Sequence, residues 1–254
     1  MNGVARGIFI AVLGFTLAAC GNGEERTYQG WVEGVFVFVG PDEAGRVETM
    51  RVREGDAVKT DAPLFSLDAE LQQADLRVAE AALTNSQNAF ERAQQLLKSG
   101  SGSQKAFDDA QANLREADAR AKAARTRLAR RELSSPVTGA VQQIYYRPGE
   151  MVPAGRAVVS ILPPGNVKVR FFVPQAVLPT ISLGDAIAVA CDGCADGLSA
   201  RISFIASSAE YTPPVIFSDE ERNKLVFLVE ALPEKPEGLR VGQPVTATLR
   251  TEKK

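Results

Sequence analysis

Residues 44–67 read AGRVETMRVREGDAVKTDAPLFSL and residues 138–161 read TGAVQQIYYRPGEMVPAGRAVVSI, and the two stretches align without a gap at an offset of 94. Gly45 falls on Gly139 and Gly55 on Gly149, while Val47 meets Val141, Met50 meets Ile144, Asp56 meets Glu150, Val58 meets Val152, Leu64 meets Val158 and Ser66 meets Ser160. Each copy alternates short apolar stretches around a turn, Glu54-Gly55-Asp56 or Pro148-Gly149-Glu150, which is the punctuation of strands joined tightly. One such half cannot bury its apolar face alone, so the two copies are expected to pack on each other as a small sandwich.

The chain between the copies must leave that sandwich and return. From Asp68 to Leu133 it contains no Pro and is rich in Ala, Gln, Glu and Arg, a helix-forming composition. Leu76, Leu83, Phe90 and Leu97 recur every seventh residue before the break Ser99-Gly100-Ser101-Gly102-Ser103. Phe107, Ala110, Leu114, Ala117, Ala121, Ala124 and Leu128 then follow a three-four alternation, the seam of a coiled coil. This predicts two antiparallel helices of about 28 to 30 residues, projecting roughly 42 to 45 Å, with Ser103 capping the second. With position a at Phe90 and Leu97, Arg92 falls at c and Leu96 at g, one turn apart and off the seam.

Composition narrows the chemistry. Of 254 residues 45% are hydrophobic, enough for packed cores, and 29 Lys and Arg against 31 Asp and Glu leave a net charge of -2, too weak a field to draw in nucleic acid. The chain has no His, which removes the commonest general base and metal ligand together with every Ser-His or Cys-His nucleophile. Asp108-Asp109 is read as a solvated pair in a helical first turn. Gly100-Ser101-Gly102 lacks the preceding strand and following Lys of a phosphate loop. No catalytic residue, cofactor or metal site is expected. A lipoyl or biotin carrier is also excluded, because the junction Leu67-Asp68-Ala69-Glu70 offers no Lys to modify.

At the N-terminus Arg6 precedes an apolar run from Ile8 to Ala19, about 12 residues, too short to span a bilayer and suited to an export signal. Its end, Leu17-Ala18-Ala19-Cys20-Gly21, resembles the lipobox of bacterial lipoproteins, which implies acylation of Cys20; an ordinary signal peptide is the alternative. From Val167 to Arg250 five β-rich runs separated by turns read as a small barrel or sandwich, with residues 212–223 as a long surface loop. Cys191-Asp192-Gly193-Cys194 lacks the further ligands of a zinc site and the βαβ context of a redox motif. It reads as a local disulfide stapling a turn, with free thiols the alternative.

A sandwich split by a coiled-coil hairpin and followed by a β-barrel resembles the HlyD-type periplasmic adaptors, or membrane fusion proteins, of tripartite efflux pumps and type I secretion systems. The resemblance covers nearly all of the mature chain. It implies a mainly β fold with an α-helical hairpin: a lipoyl-like barrel-sandwich hybrid interrupted by an antiparallel coiled coil, then a small β-barrel. The expected divisions are residues 1–19 as lipoprotein signal peptide, 20–30 as lipidated linker, 31–68 and 133–163 as the two sandwich halves, 69–132 as hairpin, and 164–254 as barrel and tail. Arg92, Leu96 and Ser103 match the spacing of the motif with which family hairpins dock onto a TolC-like outer-membrane channel.

The resemblance further implies a periplasmic protein, lipid-anchored with the inner membrane favoured, that joins an inner-membrane transporter to that channel without catalysis. It implies a homo-oligomer, commonly a hexamer. The segments 164–172 and 191–194 look like adaptors serving ABC-type exporters rather than proton-driven pumps. The alternative function is a structural coiled-coil lipoprotein of the cell envelope without a transport role.

Overall fold

Short strands with apolar residues at every second position pair only where a second sheet can cover them, and the repeat supplies that second sheet. The computed structural model describes residues 25–194, 197–211 and 225–250; the leader, Cys20 and the 212–223 loop lie outside them. The first sheet contains β2 (Val37–Val39), β4 (Ala57–Val58), β7 (Gly139–Ile144) and β9 (Val159–Leu162) in the order β2-β9-β7-β4. The second contains β3 (Gly45–Met50), β5 (Pro63–Leu67), β6 (Glu132–Ser134) and β8 (Met151–Val152) in the order β6-β5-β3-β8. The offset of 94 carries one order onto the other, so β4 of the first half completes the second half's sheet and β8 completes the first half's.

The backbone repeats the exchange bond for bond. Val47 N donates to Glu150 O and Val141 N to Asp56 O, both at 2.9 Å; Gly55 N donates to Val141 O at 2.8 Å and Gly149 N to Val47 O at 2.7 Å. Gly55 and Gly149 hold φ of 92° and 93°, the left-handed conformation that the tight turn demands and a Cβ opposes. Val47, Val58, Leu64, Phe65 and Leu67 share one buried core with Val141, Val152, Val158, Val159 and Ile161. The two copies form one body, and each of these side chains removed from water contributes roughly 1.5–3 kcal/mol.

From this body project α1 (Glu70–Lys98) and α2 (Gln104–Ala129), 29 and 26 residues long, about 44 and 39 Å at 1.5 Å per residue. The second helix is shorter than expected because it starts at Gln104 and yields to β6 at Glu132. Ala117, Ala121 and Ala124 are its buried residues, small enough to let the helices approach closely toward the sandwich end. Asp108 and Asp109 lie one turn beyond the helix start rather than in the first turn, where Gln104 and Lys105 bind them at 2.8 and 2.9 Å. No helix among the described residues is long and apolar enough to cross a membrane.

The third body is a closed six-stranded barrel of β1 (Glu25–Gly34), β10 (Val167–Pro174), β11 (Ala186–Ala190), β12 (Leu198–Ile205), β14 (Leu225–Pro233) and β15 (Pro244–Arg250). The two-residue β13 (Glu210–Tyr211) extends the β12 side of β14, and β10 closes the ring on β14. In β10 Val167, Val169, Phe171 and Val173 point inward while Lys168, Arg170 and Phe172 alternate outward. One expectation needs correction. Residues 25–30 are not a linker, nor do residues 31–34 begin the sandwich: β1 pairs with both β10 and β15 and closes the barrel. Without it those two strands would present unpaired edges, and Val32, fully buried in the barrel core, would lose its cover.

Candidate functional site

The hairpin tip is built on the carbonyl of Leu96. Ser101 N and Gly102 N both donate to it at 2.9 Å and Ser99 Oγ at 3.0 Å, so three orphan donors of the turn converge on one C-terminal carbonyl of α1. Gly100, at φ 72°, reverses the chain. A Cβ on Gly102 would sit 2.9 Å from Leu97 N and 3.0 Å from Leu96 Cβ, so the returning strand of the turn passes too close to α1 for any side chain. Ser103 then accepts from Ala106 N at 3.1 Å as the N-cap of α2. Beneath the tip Phe90 and Phe107 meet with ring centroids 5.3 Å apart and close the seam.

The three sequence-selected residues flank this turn, Arg92 and Leu96 near the end of α1 and Ser103 at the start of α2. Leu97 is half-buried in the seam, whereas Leu96 beside it is 51% exposed. Arg92, one turn back, is exposed and has no ion-pair partner among the described residues. Ser103 is exposed, with its hydroxyl oxygen engaged by the helix it caps. An exposed cation and an exposed apolar side chain in the last two turns of α1 thus lead into a turn that ends on the polar cap of α2. Nearby, the Lys105 ammonium is held above its ordinary value by its hydrogen bond to Asp109 and by that carboxylate's charge.

The other sequence-selected positions lie elsewhere. Cys191 and Cys194 are disulfide-bonded, with Cα atoms 5.4 Å apart, in the turn between β11 and β12. Gly193 there takes φ 77°, and Gln243 Nε2 donates to Asp192 O at 3.3 Å, tying the turn to the start of β15. No cluster of three His, Cys, Asp or Glu able to hold a metal occurs among the described residues. Sequence reasoning missed a cluster at the opposite end of the hairpin, where Arg130 pairs with Asp42 at 2.6 Å and Arg131 with Glu43 at 3.0 Å. The signal was available as two adjacent acids before one repeat copy and two adjacent bases before the other.

Residues 68–133 match the family model described as "RND MFP, alpha-helical hairpin domain". A probable efflux pump periplasmic linker protein, SepA of Pseudomonas putida, is 32% identical over 119 residues, covering 47% of this chain and 31% of the relative. A protein of Haemophilus influenzae is 25% identical over 189 residues, covering 72% of this chain and 50% of its own. The chain therefore spans about a third to a half of the length of these relatives. Among solved structures a MacA-MexA chimera carrying the Pseudomonas aeruginosa MexA α-hairpin superposes with a TM-score of 0.76 at 17% identity, over 90% of this chain and 82% of the chimera. The hairpin at residues 68–133 thus matches the hairpin domain of membrane fusion proteins, the split sandwich, hairpin and closed barrel share the fold of the superposed chimera, and together with the periplasmic linker relatives these likenesses support a periplasmic adaptor family.

Proposed function

We propose that this adaptor links an inner-membrane transporter to a TolC-like outer-membrane channel, docking on the channel through Arg92, Leu96 and Ser103. The observation that carries the reading is the half-exposed Leu96 on a turn braced by three hydrogen bonds, at the end of a helix about 44 Å long. An apolar side chain gains little from water and contributes most when a partner covers it. Relatives named as efflux pump periplasmic linkers support a role in export. The structural lipoprotein without transport is not favoured, since it has no use for a duplicated sandwich and a barrel.

The finer assignments continue the same reading. Acylation of Cys20 anchors the protein at the inner membrane, facing the periplasm, and protomers assemble as a ring, commonly of six. For the transporter, residues 164–172 and 191–194 favour an ABC-type exporter, while the hairpin's likeness to an RND-adaptor model speaks for a proton-driven pump. The ABC type is the reading carried forward, and identification of the transporter that copurifies with the native protein decides between them. Docking is tested by Leu96→Asp in the full chain. We expect loss of channel crosslinking and copurification with unchanged unfolding, because the side chain lies outside the seam; undiminished crosslinking would remove the tip assignment.

A further inference from the structure

The guanidinium of Arg131 is the most enclosed charge at the foot of the hairpin, with 7% of its side chain exposed. Its Nη1 donates to Ala44 O at 3.0 Å and its Nη2 to Glu43 Oε2 at 3.0 Å. With its amide oxygen turned inward, Gln72 accepts from Nε at 3.1 Å and from Nη2. Three separate stretches meet on one planar group: the loop entering β3, the first turn of α1, and the exit of α2. The backbone of Arg131 adds to the junction, its carbonyl accepting from Leu67 N at 2.8 Å and its N–H donating to Leu128 O at 3.0 Å.

We propose that Arg131 is a positioning residue that locks the hairpin at a fixed angle on the sandwich, with Glu43, Gln72 and the Ala44 carbonyl as its three holds. A lysine has a single ammonium and cannot span the three, whereas the arginine fork presents its donors in one fixed plane. The repeat points to the hairpin as the reason for this charge. The position 94 residues earlier is Val37, which has no guanidinium and from which no hairpin departs. The neighbouring Arg130–Asp42 pair is exposed on both sides and supplies only a weak second hold. Leverage makes the lock consequential: a rotation of about 10° at the base displaces a tip roughly 44 Å away by roughly 8 Å.

The lock does not rest on the channel reading, and its test uses the full chain without a partner. Spin labels are introduced through a non-cysteine chemistry at Ser101 on the tip and at Gln142 on the exposed side of β7, leaving the native cysteines intact. Pulsed dipolar spectroscopy reads the width of the distance distribution. Hydrogen exchange at Val47, Val141 and Ile161 reports the sandwich core. Arg131→Met and Glu43→Ala are expected to broaden the distribution at least about two-fold with core protection retained, and Arg131→Lys to give an intermediate width. An unchanged width in all three variants overturns the proposal. Broadening that occurs only together with loss of core protection overturns it too, because it would mark a general structural role.

Discussion

The two corners of the sandwich that the repeat makes equivalent have opposite neighbours. At one corner β3 meets β8, and the recess around Gly45 and Met151 is bordered by Leu71 and Arg131 of the hairpin foot. At the other β7 meets β4, and the groove around Gly139 and Val58 is bordered by Leu162, Val167, Pro236 and Leu239 on the way to the barrel. Both corners begin with glycine, yet the atoms that exclude a side chain differ. A Cβ on Gly45 would meet the end of Arg131 at 2.7 Å, whereas one on Gly139 would meet the Leu162 carbonyl oxygen at 2.5 Å. A duplicated sheet thus provides two like platforms, and what is attached to each decides how the like residues are constrained.

The largest expected effect follows from that contrast. Gly139→Ala should cost about 3 kcal/mol, because a strand backbone must shift, and Gly45→Ala about 2 kcal/mol, because only the end of the Arg131 side chain must give, at the expense of its hold on the Ala44 carbonyl. Urea unfolding of both variants measures the gap, and equal losses would show that the corners are energetically alike. A smaller effect is expected far from either corner. Ser103→Ala removes the cap of α2 and should lower the stability of its first turn by about 1 kcal/mol, read as faster amide exchange at Ala106 and Phe107 with the sandwich amides unchanged. Spread of that loss into the sandwich would mean that the hairpin and its platform unfold as one unit.

The smallest effect compares the repeat's second turns. Asp61 at φ 64° occupies the position that Gly155 holds at φ 73°; Asp61 N donates to Ser135 O and Gly155 N to Pro41 O, both at 2.8 Å. Asp tolerates this conformation with some strain, so Asp61→Gly is expected to change stability by less than about 1 kcal/mol, whereas Gly155→Val should cost more than that. Thermal unfolding of the two variants checks the order. The reverse order would show that the left-handed backbone conformation does not govern the stability of these turns.

Much of this architecture was legible because it rests on periodicities. The offset of 94 paired Val47 with Val141 and Val58 with Val152, and all four lie in one core. The heptads separated Leu97 from Leu96 across a single peptide bond, and the structure half-buries the first while exposing the second. The barrel's first strand was less legible. Tyr28 and Val32 carry inward-facing positions of β1, but a strand whose partners are β10 and β15, more than 130 residues later, has no local signature of which sheet it joins. The Arg131 clamp escaped for a related reason, since a basic pair after a helix looks like a solvated helix end until Glu43 is seen opposite.

The chain's own order of residues determined the duplicated sheet, the two long helices, the glycine turns and the tip residues, because period-two, heptad and turn preferences act between near neighbours. Only the tertiary structure decided that each half lends a strand to the other, that the segment ahead of the sandwich closes a distant barrel, and that one buried guanidinium fastens the hairpin. Those outcomes depend on pairings across 80 or more residues, where burial and the need to satisfy every strand edge and enclosed charge choose among partners that local pattern leaves equivalent.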